Sequence, residues 1–291
     1  MTDPVDPESI IAYQGEPGAY SHLACQQVYP AHQARPCATF LEALHAVEQG
    51  QARYAMIPLE NSTAGRVEEI YRQLPRTPLS IVAEHFQPIN HCLLGVPGAR
   101  LEQIRVVESH PQALAQCEQT LLALGLRTAA RFDTAGAAQD VRDAGDPGRA
   151  AIASRLAGEI YGLEVLRENL QDQDLNTTRF VVFARETSVP DWQADGRYIT
   201  SLMFRVRNIP AALYKALGGF ATGGVNMVKL ESYMGGNFAI TQFYLDVEAH
   251  ADEPRMRLAL EELGFFAEAM RVLGTYPAHP ARVAPEAGTG T

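Results

Sequence analysis

Short apolar runs alternate with amphipathic segments along most of the chain. Runs of four to six residues rich in Val, Ile and aromatic side chains are typical of buried strands, and apolar residues three and four apart are typical of helices. Strand patterns fall at residues 10–13, 55–59, 79–83, 91–96, 104–107 and 180–183, and helix patterns at 19–28, 67–74, 111–124, 135–144 and 154–161. This alternation predicts an α/β protein with mostly parallel sheets.

The pattern changes at residues 187–197, a polar stretch with Pro190 and Gly196 that we interpret as a linker. Beyond it, strand patterns at 199–206, 225–232, 238–247 and 270–275 and helix patterns at 211–221 and 254–263 follow in the order βαββαβ. That order over about 80 residues predicts a ferredoxin-like sandwich. The segment 278–291 is rich in Ala, Pro, Gly and Thr and is predicted to be disordered.

Composition narrows the class of protein. The chain has 291 residues and a formal net charge of −10, without a basic stripe, so we expect no nucleic-acid or membrane partner. Residues 1–9 lack the features of a signal peptide, and we expect a cytoplasmic protein. The four cysteines form no CxxC pair, the histidines lack zinc-binding spacing, and no nucleotide-binding glycine motif occurs. Free thiols and no metal or other cofactor are therefore expected.

The most informative segment is 176–180, where Asn176, Thr177, Thr178 and Arg179 directly precede an apolar run that begins at Phe180. Polar groups at the mouth of a buried strand are costly unless something binds them. The segment therefore predicts a binding or catalytic site, although a salt bridge is an equally good interpretation of Arg179.

Three further polar clusters each follow a predicted strand, at 15–21, 58–63 and 108–112. Ligands of open α/β sheets bind beyond the carboxyl ends of the strands, where helix N-termini favour anions. We therefore predict a small carboxylate ligand. The alternative is that Ser21, Ser62 and Ser109 simply cap helices.

These clusters resemble the prephenate dehydratase family. The motifs that match are Gly-x-Pro-Gly-Ala-Tyr-Ser at 15–21, Pro-Leu-Glu-Asn-Ser at 58–62, Ser-His-Pro-Gln-Ala at 109–113 and Asn-x-Thr-Arg-Phe at 176–180, and the likeness runs from about residue 10 to 276. It implies a catalytic domain at 9–186 like a type II periplasmic binding protein, with one lobe at 9–86 and 170–186 and the other at 87–169. It also implies an ACT regulatory domain at 198–277.

The resemblance also implies roles. Thr178 is expected to be essential, with Glu60, Asn61, Ser109 and Gln116 as further catalytic residues. The expected substrate-binding residues are Ser21, Ser62, Thr63, Asn176, Arg179 and Phe180. Prephenate would lose carbon dioxide and water to form phenylpyruvate, a reaction driven by aromatisation of the ring. Thr178 is a very weak acid, so we expect it to donate a hydrogen bond to the leaving oxygen together with a neighbouring group. Glu60 could be the proton source if burial raises its pKa, and the sequence leaves open which of the two delivers the proton.

The expected effector is L-phenylalanine, bound by residues that match the family's effector segments: Ala212, Leu213, Asn226, Met227, Leu230, Glu231 and Ser232. Because ACT domains usually bind ligands between subunits, a homodimer or homotetramer is expected. A domain that only packs or dimerises is the alternative. For the catalytic part, the alternatives are an arogenate dehydratase and a non-catalytic module that binds small carboxylates.

Overall fold

A computed structural model describes residues 6–234 and 240–282 of the chain. The chain forms two compact units, the first made of Met1–Ile70 and His85–Phe180 and the second of Tyr71–Glu84 and Val181–Thr291. No helix within the described ranges is long and apolar enough to cross a membrane. The four cysteines are buried free thiols, as expected.

Eleven strands and seven helices are described before residue 185. The strands are β1 (Ile10–Gln14), β2 (Gln33–Cys37), β3 (Tyr54–Asn61), β4 (Gly65–Arg66), β5 (Ser80–Pro88), β6 (Cys92–Gly95), β7 (Val106–Ser109), β8 (Arg127–Ala130), β9 (Arg149–Ala153), β10 (Glu164–Arg167) and β11 (Thr177–Ala184). The helices are α1 (Tyr20–Val28), α2 (Phe40–Glu48), α3 (Glu68–Gln73), α4 (Pro111–Gln116), α5 (Glu118–Ala123), α6 (Thr134–Ala144) and α7 (Arg155–Tyr161).

These strands form two sheets. The first has the order β2-β1-β3-β11-β5, with β4 paired to β3, and the second has the order β10-β6-β9-β7-β8. β1 runs parallel to β2 and β3, and β7 runs parallel to β8 and β9, whereas β6 is antiparallel to β9 and β10. The chain therefore leaves the first sheet after β5 and returns to it at β11. The predicted α/β class, with two sheets in the first part of the chain, is confirmed.

Sequence patterns located the most buried elements best. Ile11, Ala12 and Tyr13 of β1 are buried, as are all residues of β11 from Phe180 onward. Burial on both faces explains their continuous apolar runs. By contrast, nothing was predicted at 29–54, where β2 and α2 lie, or at β8, β9 and β10. β2 and β8 are edge strands of their sheets and mostly unburied, so neither shows an apolar run.

The single helix predicted at 111–124 is wrong. α4 and α5 are separate helices, because Cys117 between them has the non-helical angles φ −118° and ψ 12°. The Asp172 carboxylate accepts hydrogen bonds from the backbone N–H groups of Gln119 and Thr120 and from the Thr120 hydroxyl, at 2.9–3.0 Å. A residue about fifty positions away thus supplies the cap of α5, which no local pattern could show.

The second unit contains the predicted βαββαβ sandwich. Its elements are β12 (Tyr198–Val206), α8 (Ala212–Thr222), β13 (Asn226–Met234), β14 (Ile240–Glu248), α9 (Pro254–Phe266) and β15 (Ala267–Pro277). The sheet order is β13-β14-β12-β15, and every pairing is antiparallel. The helices and one sheet face share a core that includes Phe220, Leu245 and Leu263. The strand predicted at 238–247 begins outside the described residues.

Disorder was predicted for 278–291, and this is wrong for residues 278–282. A short 3₁₀ helix covers Pro280–Arg282. The Arg282 guanidinium bonds both carboxylate oxygens of Glu84, at 2.6 and 2.9 Å, and the Glu84 side chain is fully buried. A buried carboxylate needs such a partner. Residues 283–291 lie outside the described ranges.

Candidate active site

A cavity of about 420 Å³ lies in the first unit, within the size range of small-molecule sites. It is lined by Gln14, Gly15, Ala19, Tyr20, Ser21, Phe40, Pro58, Asn61, Val67, Ile89, His91, His110, Gln112, Ala113, Gln116, Phe132, Asp133, Thr134, Thr178 and Phe180. All four sequence motifs contribute to this lining. The expectation that distant strand ends meet at one site therefore agrees with the geometry.

Three helices begin at the cavity wall. Ala19 is the N-cap of α1, His110 is the N-cap of α4 and Asp133 is the N-cap of α6. Unpaired N–H groups and the positive dipole ends at such sites attract anions. The described lining contains neither Lys nor Arg, and Asp133 and His110 cap their own helices, so the attraction for a carboxylate comes from the uncapped N-terminus of α1 and from neutral donors. The middle cluster, by contrast, leads into the hairpin strand β4 instead of opening a helix.

Two glycines shape the wall beside α1. Gly15 and Gly18 have φ angles of +117° and +95°, which favour glycine. A Cβ on Gly18 would lie 2.7 Å from the Cα of Ala157, and the Ser154 hydroxyl donates to the Gly18 carbonyl at 2.5 Å. The first motif is therefore partly a packing motif, because it brings the α1 loop against α7.

Thr178 lies on β11 beside Asn61 of β3. The Asn61 amide donates to the Thr178 hydroxyl oxygen at 3.0 Å and to Asn176 Oδ1 at 2.7 Å. Among the described residues, the hydroxyl hydrogen of Thr178 has no acceptor. The geometry therefore leaves Thr178 able to donate a hydrogen bond into the cavity.

Glu60 and Arg179 form an ion pair on the same two strands, with Nη1 and Oε1 3.1 Å apart. Neither residue belongs to the cavity lining. The Arg179 side chain is 2% exposed and the Glu60 side chain 30% exposed. The salt-bridge interpretation of Arg179 is therefore the one that the structure shows.

The other predicted residues divide into two groups. Ser21, Gln116 and Phe180 line the cavity, whereas Ser62, Ser109, Thr63 and Asn176 do not. Ser109 is fully buried and donates to the Ile152 carbonyl at 2.6 Å, which ties β7 to β9. Ser62 and Thr177 exchange hydrogen bonds between β3 and β11 at 2.9–3.0 Å. None of the three candidate serines is a helix N-cap, so the capping alternative is wrong.

Sequence reasoning missed several lining residues, among them Tyr20, Phe40, His91 and Phe132. His91 is 2% exposed, and burial lowers its pKa. Burial raises the pKa of Tyr20, so that its phenol stays protonated. The histidine at the start of the apolar run at 91–96 could have indicated a site from the sequence, because a buried imidazole needs hydrogen-bond partners.

A second cavity, of about 470 Å³, lies in the ferredoxin-like unit. It is lined by Val206, Arg207, Asn208, Ile209, Ala211, Ala212, Leu213, Tyr214, Leu230, Ser232 and Phe243. Of the predicted effector residues, Ala212, Leu213, Leu230 and Ser232 line it. Asn226, Met227 and Glu231 do not; Asn226 bonds Glu248 and Glu231 bonds Lys229. Ala211 has the left-handed angles φ 60° and ψ 19°.

Fold and site together define an α/β domain of two sheets with a cavity suited to a small polar ligand. The family model "Prephenate dehydratase" matches residues 11–188, and the chain belongs to that family. The resemblance inferred from the four motifs is thereby confirmed.

Relatives named for dehydratase activity match this chain over almost its full length. A "Bifunctional N-acyl-homoserine lactone acylase/prephenate dehydratase" from Komagataeibacter europaeus is 50% identical, covering 96% of this chain and 99% of its own. "Arogenate dehydratase/prephenate dehydratase 1, chloroplastic" from Arabidopsis thaliana is 41% identical, covering 95% and 74%. Among solved structures, a prephenate dehydratase from Arthrobacter aurescens in complex with L-Phe is 29% identical, with a TM-score of 0.85 over 92% of this chain and 90% of its own.

Proposed function

We propose that the protein is a prephenate dehydratase, which converts prephenate into phenylpyruvate, carbon dioxide and water. The observation that carries the proposal is the Thr178 hydroxyl at the cavity wall, which accepts from Asn61 and keeps its own hydrogen for a ligand. A hydrogen bond to a leaving hydroxyl typically accelerates a reaction by ~10²–10⁴-fold.

The bond changes require no redox partner. The electron pair of the bond between the ring and its carboxylate moves into the ring, and carbon dioxide leaves. The carbon–oxygen bond at the opposite ring position breaks with its electron pair, Thr178 hydrogen-bonds the departing hydroxide, and a proton from solvent converts it to water. Aromatisation of the ring drives both cleavages, so the protein has to hold the substrate and assist departure of the hydroxide.

The carboxylates of prephenate would be held by the uncapped N-terminus of α1 at Ala19 and by neutral donors such as Gln116 and Ser21. Phe180 supplies an apolar wall for the ring. Ser62, Ser109, Thr63 and Asn176 would act by positioning strands and neighbouring side chains. These roles suit a catalytic domain at residues 9–186, followed by a linker at 187–197.

Thr178 is the better candidate for the group that assists the leaving hydroxide, by a hydrogen bond in which it keeps its own proton. Its hydroxyl faces the cavity, whereas Glu60 lies outside the lining and pairs with buried Arg179. We therefore infer that Thr178 hydrogen-bonds the leaving oxygen directly and that Glu60 keeps Arg179 in place.

The test is steady-state kinetics of the purified protein with prephenate, read by the absorbance of phenylpyruvate. Thr178→Ala is expected to lower kcat by about 10²–10⁴-fold with little change in KM. Thr178→Ser is the matched control, because it keeps the hydroxyl and should keep most of the activity. If the wild-type protein consumed no prephenate, the proposal would fail; if Thr178→Ala changed only KM, Thr178 would be a binding residue.

Parallel reactions decide between neighbouring functions. Arogenate differs from prephenate only in its side chain and undergoes the same ring chemistry, and several plant relatives are named for it. The relative from Komagataeibacter europaeus is also named for N-acyl-homoserine lactone acylase activity, so such a lactone belongs in the same assay. If the protein turned over arogenate or the lactone faster than prephenate, that compound would be the preferred substrate instead. Binding of prephenate without turnover would support a non-catalytic module.

We further propose that the ferredoxin-like unit at 198–277 is an ACT domain that binds L-phenylalanine and reports it to the catalytic site. The support is the second cavity, with its apolar wall of Leu213, Leu230 and Phe243, together with the relative solved with L-Phe.

Isothermal titration calorimetry with L-phenylalanine should show weaker binding to Leu230→Ala than to the wild-type protein. Met227→Ala is the control, because Met227 lies outside the lining. Ultracentrifugation with and without the amino acid tests for a dimer or tetramer.

A further inference from the structure

A continuous line of hydrogen bonds joins a buried histidine to the proposed catalytic hydroxyl. Its members, in order, are Tyr20, His91, Gln116, Thr63, Asn61 and Thr178. The successive distances are 3.0 Å (Tyr20 Oη to His91 Nδ1), 2.8 Å (His91 Nε2 to Gln116 Oε1), 2.8 Å (Gln116 Nε2 to Thr63 Oγ1), 2.8 Å (Thr63 Oγ1 to Asn61 Oδ1) and 3.0 Å (Asn61 Nδ2 to Thr178 Oγ1). We name these six residues the donor chain.

The direction of the donor chain follows from two backbone groups. The N–H groups of Thr63 and Ala64 point at Asn61 Oδ1, at 3.0 and 2.9 Å. Because an N–H can only donate, this Asn61 atom must be the oxygen, and the amide nitrogen must face Thr178. The orientation of Asn61 is therefore determined by the backbone of its own turn.

The same reasoning extends to the histidine. The Thr63 hydroxyl has one hydrogen, which it must donate to the Asn61 oxygen, so toward Gln116 it can only accept. Gln116 therefore presents its nitrogen to Thr63 and its oxygen to His91. An oxygen at 2.8 Å requires a hydrogen on His91 Nε2. Every donor in the line consequently points toward Thr178.

We propose that His91 is a positioning residue for Thr178, a role that rests on the proposed function. By donating to Gln116, His91 keeps the Gln116 nitrogen on Thr63 and so leaves the Thr63 hydrogen on Asn61 Oδ1, which reinforces the orientation that the backbone N–H groups already give Asn61. Thr178 then only accepts from the protein, so its hydrogen is reserved for the leaving hydroxyl of the substrate. If the line ran the other way, Thr178 would donate to Asn61 and would have no hydrogen for the substrate.

The position of His91 suits this role. It lies between β5 and β6, where the chain first crosses from one sheet to the other. Its backbone N–H donates to Gln171 Oε1 at 2.9 Å, and its carbonyl accepts from Leu170 at 2.9 Å, on the segment that leads back to β11. The two crossing segments therefore fix the backbone of His91, while Tyr20 and Gln116 hold its ring.

Tyr20 completes the start of the line. Its single hydroxyl hydrogen faces two acceptors, the Asn90 carbonyl at 2.9 Å and His91 Nδ1 at 3.0 Å. Neutral His91 with hydrogen on Nε2 can accept at Nδ1. A doubly protonated His91 would donate to Tyr20 instead, while still donating to Gln116. The direction toward Thr178 is thus the same in both charge states.

A double-mutant cycle on kcat with prephenate tests the proposal. His91→Leu removes the first donor, and Thr63→Val removes a middle hydroxyl with little change in shape. Each is expected to lower kcat by roughly 10- to 100-fold, the range typical for loss of a supporting hydrogen bond, while KM stays within about twofold. Because both act through one line, the double variant should be no slower than the slower single variant. His91→Gln, which can donate to Gln116, should recover much of the loss.

Control variants and contrary outcomes separate this proposal from the proposed function. Thr128→Val makes the same substitution on exposed β8, away from the cavity, and should leave kcat unchanged. If the two losses multiplied in the double variant, or if only KM changed, His91 would be a packing residue and the proposal would be overturned.

Thr63 is exposed, so Thr63→Val decides the question even if His91→Leu fails to fold. An unchanged kcat in Thr63→Val would overturn the proposal. A wild-type protein that turned over neither prephenate nor arogenate would overturn both proposals, whereas an active wild type sensitive only to Thr178→Ala would overturn this one alone.

Discussion

The two cavities of this protein are similar in volume and built in opposite ways. In the first unit, the polar side chains at the wall are connected to one another, and the donor chain gives each a single orientation. In the ferredoxin-like unit, the wall is the connection from β12 to α8 and the first turn of α8, beside strand side chains, and Ala211 in that connection holds a left-handed backbone conformation. One cavity is held by side-chain hydrogen bonds and the other by a strained backbone.

This difference matches the proposed tasks. A catalytic hydroxyl gains from donors that are already oriented before the substrate binds, because no reorganisation is then needed during the reaction. A sensor has to occupy two states of similar free energy so that a ligand can shift their populations. Strain of about 1–2 kcal/mol in a binding loop is of the size that a ligand can offset.

The largest expected effect comes from reversing the last bond of the donor chain. In Asn61→Asp, the carboxylate can still accept from Thr63 and Ala64 but cannot donate to Thr178, which must then donate to it. We expect kcat to fall by about 10²–10³-fold, as for loss of one oriented donor. Steady-state kinetics measures this, with Gln33→Glu on edge strand β2 as a control that adds the same charge at an exposed position. Normal turnover in Asn61→Asp would show that the hydrogen-bonded cavity is not needed for rate.

Gly18→Ala tests whether the catalytic wall also depends on backbone packing. The new Cβ would meet the Ala157 backbone at 2.7 Å, and φ is +95°, so we expect a loss of about 2 kcal/mol or more in the free energy of unfolding. Urea denaturation measures the loss. Gly65→Ala is the matched control, because Gly65 has φ +80° and nothing within 4 Å. Equal losses in the two variants would mean that contact with Ala157 contributes nothing.

Ala211→Gly tests the strain assigned to the effector loop. Glycine adopts φ near 60° without the Cβ penalty, but its unfolded state has more conformational freedom, so we expect a net gain of about 0.5–1 kcal/mol. Differential scanning calorimetry should show a higher Tm. Ala212→Gly, one residue on and inside α8, should instead lower Tm, because glycine is unfavourable in a helix. A lower Tm in Ala211→Gly would mean that the loop is not strained.

The smallest effect concerns the cap of α5. Burial alone would raise the pKa of Asp172, but hydrogen bonds from Gln119 and Thr120 outweigh it and lower the pKa. The stabilisation is therefore complete above the unfolded pKa of about 3.9 and is lost as the pH falls through the folded value. Asp172 is largely exposed, so Asp172→Ala should cost no more than about 1 kcal/mol near neutral pH and less in acid. Thermal melts across pH measure this, and Asp174→Ala is the exposed control; a loss independent of pH would contradict the assignment.

How much could be predicted from sequence depended on burial and on distance along the chain. β1, β11 and the βαββαβ order were predictable, because apolar residues that fill a core leave a periodic pattern. The edge strands β2 and β8 left none. The break at Cys117 depends on Asp172, and that contact exists only after the chain has folded.

The site shows the same division. The motifs containing Asn61, Gln116 and Thr178 were visible because polar residues crowded the ends of apolar runs. Glu60 and Arg179 were equally visible, but only the structure places their ion pair outside the cavity. Tyr20 and His91 were missed as functional residues, since each looks like an ordinary partly apolar side chain in its own segment.

The sequence by itself determined the family, the α/β class, the sandwich in the second unit and Thr178 as the residue to examine. These follow from local order and from patterns that a core imposes on nearby residues. Only the tertiary structure decided which polar residues meet and in which direction each hydrogen bond runs. The physical reason is that a hydrogen bond requires its donor and acceptor within about 3 Å. The members of the donor chain come from five separate segments of the chain, which only the folded protein brings that close.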